Sequence, residues 1–206
     1  RNIFPLLDQI DIACFDKTGV LTTRQIEITN FFIHSSLTKV YARSSNFDCG
    51  IRALIKTASA LCTDISYFEK AKFANHVDLA FISFAQRVGV DFADISLKYR
   101  RTFDMPFDSE KRYMYCGYES ENQEKWYFMK GDPDVVLTRC KEYYDENGDK
   151  KKLDFRFQSK IRLLSNTISK NGDTAIAMAV ANGCRDPEQS EFAFLCLVQL
   201  ENTLQE

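Results

Sequence analysis

The chain contains no apolar run approaching the ~20 residues that a membrane-spanning helix requires, and its opening Arg1-Asn2-Ile3-Phe4-Pro5 has no signal-peptide pattern. No direct membrane insertion of these residues is therefore expected. A charge excess is also missing: 27 basic side chains stand against 29 acidic ones, for a net charge of −2. No global field steers such a chain to nucleic acid or anionic lipid, so a phosphate ligand has to be held locally. The seven cysteines, Cys14, Cys49, Cys62, Cys116, Cys140, Cys184 and Cys196, include no C-x-x-C pair, which removes the usual zinc and redox-dithiol arrangements. Most sit in apolar segments, as small hydrophobes in a reducing, cytosolic setting do. Internal repeats and low-complexity tracts are absent as well.

What is present is the composition of a folded globular protein, 45% hydrophobic and 27% charged over 206 residues, enough to bury a substantial core. Short, near-continuous apolar runs at residues 9–15 and 193–200 have the pattern of strands buried on both faces of a parallel sheet. Between them, aromatic-rich extended segments at 99–107, 111–118 and 126–130 predict an antiparallel meander. Ile51, Leu54, Ile55, Ala58 and Leu61 recur at helical spacing, as do Val77, Phe81, Phe84, Ala85 and Val88. Asp132 followed by Pro133 suits an N-cap and first helical position. A helix over 156–169 would end at Gly172, and 175–181 reads as a further strand. Loops are expected near 43–48, 120–124 and 182–191. The charge cluster 145–152 reads as a solvated hairpin or helix entry rather than a binding patch. The fold class is therefore α/β (α+β): an antiparallel-sheet domain with helices, inserted into part of a parallel-sheet domain.

The run Asp16-Lys17-Thr18-Gly19-Val20-Leu21-Thr22 follows the first apolar strand directly. A carboxylate at that strand end opens onto ligand space and is placed to act as a nucleophile. The run resembles the phosphorylation motif of P-type ATPases, Asp-Lys-Thr-Gly-Thr-Leu-Thr, departing only at Val20. Lys130-Gly131-Asp132-Pro133-Asp134 is similar to that family's Lys-Gly-Ala-Pro-Glu nucleotide-domain signature. The resemblance runs from about residue 8 to residue 205. It implies a haloacid-dehalogenase-like phosphorylation domain at 1–32 and 189–206 interrupted by a nucleotide-binding domain at 33–188. It further implies that Asp16, with Lys17 and Thr18, takes the γ-phosphate of ATP, and that Asp16 and Thr18 hold Mg²⁺. Thr18 stands where haloacid-dehalogenase phosphatases carry a second aspartate as acid and base, so a longer-lived aspartyl-phosphate is expected.

The resemblance also implies a nucleotide site. Met105-Pro106-Phe107-Asp108-Ser109-Glu110-Lys111-Arg112 matches the family's adenine-binding segment, which makes Phe107 either a base-stacking ring or an ordinary core residue. Arg112 matches its basic position, with Lys111 on the opposite face if the segment is extended. Asp78, in Asn75-His76-Val77-Asp78, stands where relatives place a glutamate that bonds the adenine amino group. It is equally at home as an acid in a helix first turn. Lys130, the unobstructed backbone of Gly131 and the helix start at Asp132 together favour an anionic or polar ligand, the base and ribose more than the γ-phosphate. Thr174 replaces an arginine expected to clamp phosphates, and Leu200-Glu201-Asn202-Thr203-Leu204-Gln205 departs from the Asp-Pro-Pro-Arg type of hinge.

The function implied is ATP-driven autophosphorylation on the cytoplasmic side of a membrane. The partners are ATP or ADP and the transmembrane and actuator domains of the same parent protein, which would transport a cation. These residues alone should bind nucleotide weakly and not turn it over. Two rivals stand beside this reading: a non-catalytic nucleotide-binding regulatory module, favoured by Val20, Thr174 and Gln205, and a haloacid-dehalogenase-superfamily phosphatase with a cap insertion, which Thr18 opposes.

Overall fold

A computed structural model describes residues 22–34, 36–43, 45–63, 75–145, 147–183 and 191–204. The elements in chain order are β1 (Thr22–Ile33), β2 (Thr38–Tyr41), α1 (Gly50–Leu61), α2 (His76–Arg87), α3 (Phe92–Lys98), β3 (Tyr99–Asp108), β4 (Tyr113–Ser120) and β5 (Lys125–Gly131). They continue with α4 (Pro133–Arg139), β6 (Cys140–Tyr144), β7 (Lys150–Lys152), α5 (Phe155–Lys170), β8 (Thr174–Asn182) and β9 (Phe192–Leu204). All the strands join one sheet, in the order β2-β1-β9-β8-β5-β4-β3, with the β6–β7 hairpin attached along the first part of β9. Among the described residues, no helix is long and apolar enough to cross a membrane.

Helices cover both faces, and the alternation of side chains along each strand sorts the core into two halves. On β8, Ile176, Met178 and Val180 join the cluster under α1 and α2, which contains Ile55, Ala58, Phe81 and Phe84. The intervening Ala177, Ala179 and Ala181 face α4 and α5, where the larger Val136, Leu137, Phe157 and Ile161 fill the space. β5 follows the same rule: Trp126 and Phe128 lie on the α1/α2 side, Tyr127 and Met129 on the other.

The meander of β3, β4 and β5 forms as the sequence predicts, antiparallel throughout. Both periodic helices form too. Asp132 caps α4 by accepting from the Asp134 and Val135 amides, with Pro133 in its first turn. α5 closes at Asn171, followed by Gly172 at φ 88°, the left-handed position that glycine adopts without strain. The charged segment 145–152 takes the hairpin alternative, with Lys150, Lys151 and Lys152 exposed on β7.

One expectation is corrected. The apolar run 193–200 is not a strand of a parallel sheet: β9 pairs antiparallel with β1 and with β8, and parallel only with β6. Its unbroken hydrophobicity arises because helices cover it on both sides, which an apolar run reports without revealing neighbour direction. The first apolar run, 9–15, lies outside the described residues.

Buried thiols behave as the cysteine pattern suggests. Cys62, Cys116, Cys140 and Cys196 are free and buried, and burial pushes the Cys140 and Cys196 thiols above their ordinary value.

Candidate functional site

The chain folds a cavity of about 350 Å³ where four parts of the sheet and helices meet. α2 contributes its N-terminal turn, with Asn75, Val77 and Asp78; β3 and the turn after it contribute Phe107 and Arg112. β4 and β5 supply Met114, Lys130 and Gly131, and the start of β8 supplies Thr174, Ala175 and Ile176. The sequence-derived nucleotide candidates Asp78, Phe107, Arg112, Lys130 and Gly131 all line this one space, although as many as 53 positions of chain separate the first from the last.

Lys130 follows Phe128 by two residues on β5, so strand alternation turns it toward α2. Its side chain is only 4% exposed, and its Nζ lies 2.5 Å from Asp78 Oδ1, on a carboxylate 13% exposed. The ammonium also sits 4.4 Å from the centre of the Phe81 ring, a cation–π contact that favours the charge. Asp78 stands in the first turn of α2, where the helix dipole favours an acid, and Asn75 caps that helix by accepting from the Val77 amide. Both readings of Asp78 therefore meet at one side chain: it is a first-turn acid, and it borders the cavity.

Arg112 is reached by a tight turn. Asp108 accepts from the Glu110 and Lys111 amides, and those bonds, the one from Lys111 foremost, hold its carboxyl below its ordinary value. Arg112 itself has φ 58°. Residues 111 and 112 are thus turn rather than strand, and β4 begins at Tyr113; the expected opposition of Lys111 and Arg112 across an extended segment does not apply. Arg112 Nη1 lies 3.2 Å from Asp132 Oδ2 in a largely exposed pair, while Asp132 Oδ1 caps α4.

The group Lys130, Gly131 and Asp132 needs a further correction. Its lysine is neutralised by Asp78, and its helix start is occupied by the Asp132 carboxylate. The side of Gly131 that lacks a Cβ faces protein: an added methyl would come within 2.5 Å of the Arg112 carbonyl oxygen and 2.6 Å of Tyr113 Cα. The glycine is required by the approach of β4, and the three residues do not form an open anion cradle.

Phe107 is 51% exposed on an edge strand at the cavity rim, so it is not a core residue. Its free ring face can stack on a flat heterocycle. Sequence reasoning missed Val77, Met114, Ala175 and Ile176, the apolar wall, which carries no chemical signature. It also missed the Lys130–Asp78 pair; the available signal was a lysine at an even spacing from a buried phenylalanine. Asp16, Lys17, Thr18 and Val20 lie outside the described residues. Among the described residues no group of three or more His, Cys, Asp or Glu gathers to hold a metal ion. A second, more open hollow of about 620 Å³, bordered by Lys141, Glu142, Lys152, Gln158 and Glu191, contains none of the expected residues.

A family model described as P-type ATPase, cytoplasmic domain N, matches residues 51–205. The chain belongs to that family. Relatives include calcium-transporting ATPase 1 of Lactococcus lactis, 29% identical over 67% of this chain and 15% of its own length. A calcium-transporting ATPase of Listeria monocytogenes is 28% identical over 76% of this chain and 18% of its own length. Calcium-transporting ATPase 9, plasma membrane-type, of Arabidopsis thaliana is 26% identical over 86% of the chain and 16% of its own length. The chain thus spans less than a fifth of the length of these relatives. It is the cytoplasmic N-domain portion of a P-type cation ATPase.

Proposed function

We propose that this N domain binds ATP in the cavity beneath Phe107 and presents it to Asp16 in the intact protein. The observation that supports the reading most is the convergence of Asp78, Phe107, Arg112, Lys130 and Gly131, drawn from three separate segments that resemble family motifs, on one space of ligand size. Phe107 stacks on the base, the apolar wall covers its other face, and the phosphates leave by the mouth.

In the parent, an Asp16 carboxylate oxygen attacks the γ-phosphorus, the bond from γ-phosphorus to the bridging oxygen breaks, and ADP departs with the electron pair. Asp16 and Thr18 would hold Mg²⁺, which would screen the two anions. Hydrolysis of the acyl-phosphate then returns Asp16, and the cycle drives transport by a membrane domain. The names of the relatives make calcium the first cation to test. The register supports an insertion into a phosphorylation domain, because Thr22 of β1 pairs with Leu204 of β9. The chain therefore enters and leaves the sheet side by side, as an inserted domain requires.

Titration calorimetry of the chain with ATP is expected to give saturable binding, weakened about tenfold or more by Phe107→Ala, the scale of one lost base–aromatic stack. Unchanged affinity in that variant would remove Phe107 from the site.

A further inference from the structure

We infer that the outer face of α5 docks reversibly on an anionic lipid surface. The inference rests on the reading above only in placing the chain beside a membrane, and on nothing in the nucleotide cavity. Its starting point is a segregation of charge. The helix Phe155–Lys170 carries Arg156, Lys160, Arg162 and Lys170 and no acid, in a chain whose net charge is −2. Phe157, Ile161, Leu164 and Ile168 recur at helical spacing and pack on the sheet. On the other side Arg156, Lys160, Leu163, Thr167 and Lys170 recur at the same spacing, and all five are exposed.

The cations of that stripe are unspent. Arg156, Lys160 and Lys170 form no ion pair among the described residues. The neighbouring acids are committed elsewhere: Asp154 caps α5 by accepting from the Phe157 amide, and Asp134 pairs with Arg162. Glu142 and Glu191 border the open hollow beside the helix, where Lys141 and Lys152 offset them. Two large apolar side chains stand among the cations, Leu163 at 70% exposure between Lys160 and Lys170, and Phe155 at 75% beside Arg156. From Arg156 to Lys170 the stripe runs ~21 Å along a single helix. It is a ridge rather than a groove, and a fluid, planar array of anionic headgroups matches it: the ammonium and guanidinium groups stay at headgroup level while Leu163 and Phe155 dip below. Such contact is weak alone and gains from a second anchor, which the parent's membrane domain supplies. α5 lies on the face of the sheet opposite α2, so docking leaves the nucleotide cavity open.

Co-sedimentation of the chain with vesicles of phosphatidylcholine alone, or with about one-third phosphatidylserine, tests this at low and high sodium chloride. Binding is expected to be about tenfold or more stronger to the anionic vesicles and to vanish at high salt. The double change Lys160→Glu and Lys170→Glu, and separately Leu163→Asp, should each weaken it about tenfold or more. Both alter exposed positions far from the cavity, so the urea midpoint and ATP affinity should not move; the same vesicle assay on Thr167→Ala controls for a mere surface change and should show full binding. Equal binding to both kinds of vesicle, or undiminished binding by the double variant, would overturn the inference. So would failure to bind anionic vesicles, and if soluble polyglutamate then bound in their place, the face would belong to an acidic protein segment. None of these outcomes touches the nucleotide reading, which ATP titration of the same samples checks independently.

Discussion

Asp16→Asn in the intact protein is expected to abolish the phosphoryl label that γ-labelled ATP leaves on the unaltered protein, a label stable in acid and released by hydroxylamine. A carboxamide oxygen carries no full negative charge and cannot close a stable mixed anhydride with phosphorus, so the loss should be complete rather than graded. Nucleotide binding should survive, because the cavity is lined by residues of α2, β3, β4, β5 and β8. Label loss with retained ATP binding separates phosphoryl transfer from nucleotide capture. An unaltered protein that binds ATP and takes no label would instead be a regulatory module. Rapid phosphate release from p-nitrophenyl phosphate would point to a phosphatase, the outcome that Thr18 opposes.

Breaking the Lys130–Asp78 pair is expected to cost more stability than any other single change around the cavity. Lys130→Met leaves a carboxylate almost enclosed and without its counter-ion, and Asp78→Leu leaves an ammonium in the same state. Each should lower unfolding free energy by about 3 to 5 kcal/mol, the range for removing one member of a buried ion pair. That is a large share of the ~5 to 15 kcal/mol that holds a typical domain together. Making both changes together should recover most of the loss, since two apolar side chains of similar length leave no charge to desolvate. Urea unfolding of the two single variants and the double variant measures the coupling directly. Single losses below about 1 kcal/mol would show that water reaches the pair and that it behaves as a surface salt bridge.

The pair also explains where sequence reading succeeds and where it stops. Periodicity locates α1 and α2 because each has one buried face, and Asp132-Pro133 announces α4 because capping is a local event. β1 gives a poorer signal: its alternation is interrupted by a register shift between Ile28 and Asn30, after which Phe31, Phe32 and Ile33 are buried in succession. The seven residues of α3 are too few for a periodic pattern to stand out.

At the site, the family motifs marked individual positions along the chain, and the fold brought those positions to one space. They did not show how the charges are spent. Lys130 looks in sequence like a lysine open to an anionic or polar ligand, the base and ribose before the γ-phosphate; the alternation of β5 beneath α2 commits it to Asp78. Gly131 looks like an opening for a ligand, and the close approach of β4 fills that space. Both outcomes depend on contacts between segments far apart in the chain, which no local pattern records.

The central claim is that nucleotide occupies the cavity between the first turn of α2 and the Phe107 rim, and its most direct test is a series of ¹H–¹⁵N correlation spectra of the chain during addition of ATP. The account predicts saturable shifts at Asp78, Phe107, Arg112, Gly131 and the first residues of β8. Shifts gathered instead around Lys141, Gln158 and Glu191, in the open hollow beside α5, or no shifts at saturating ATP, would contradict it.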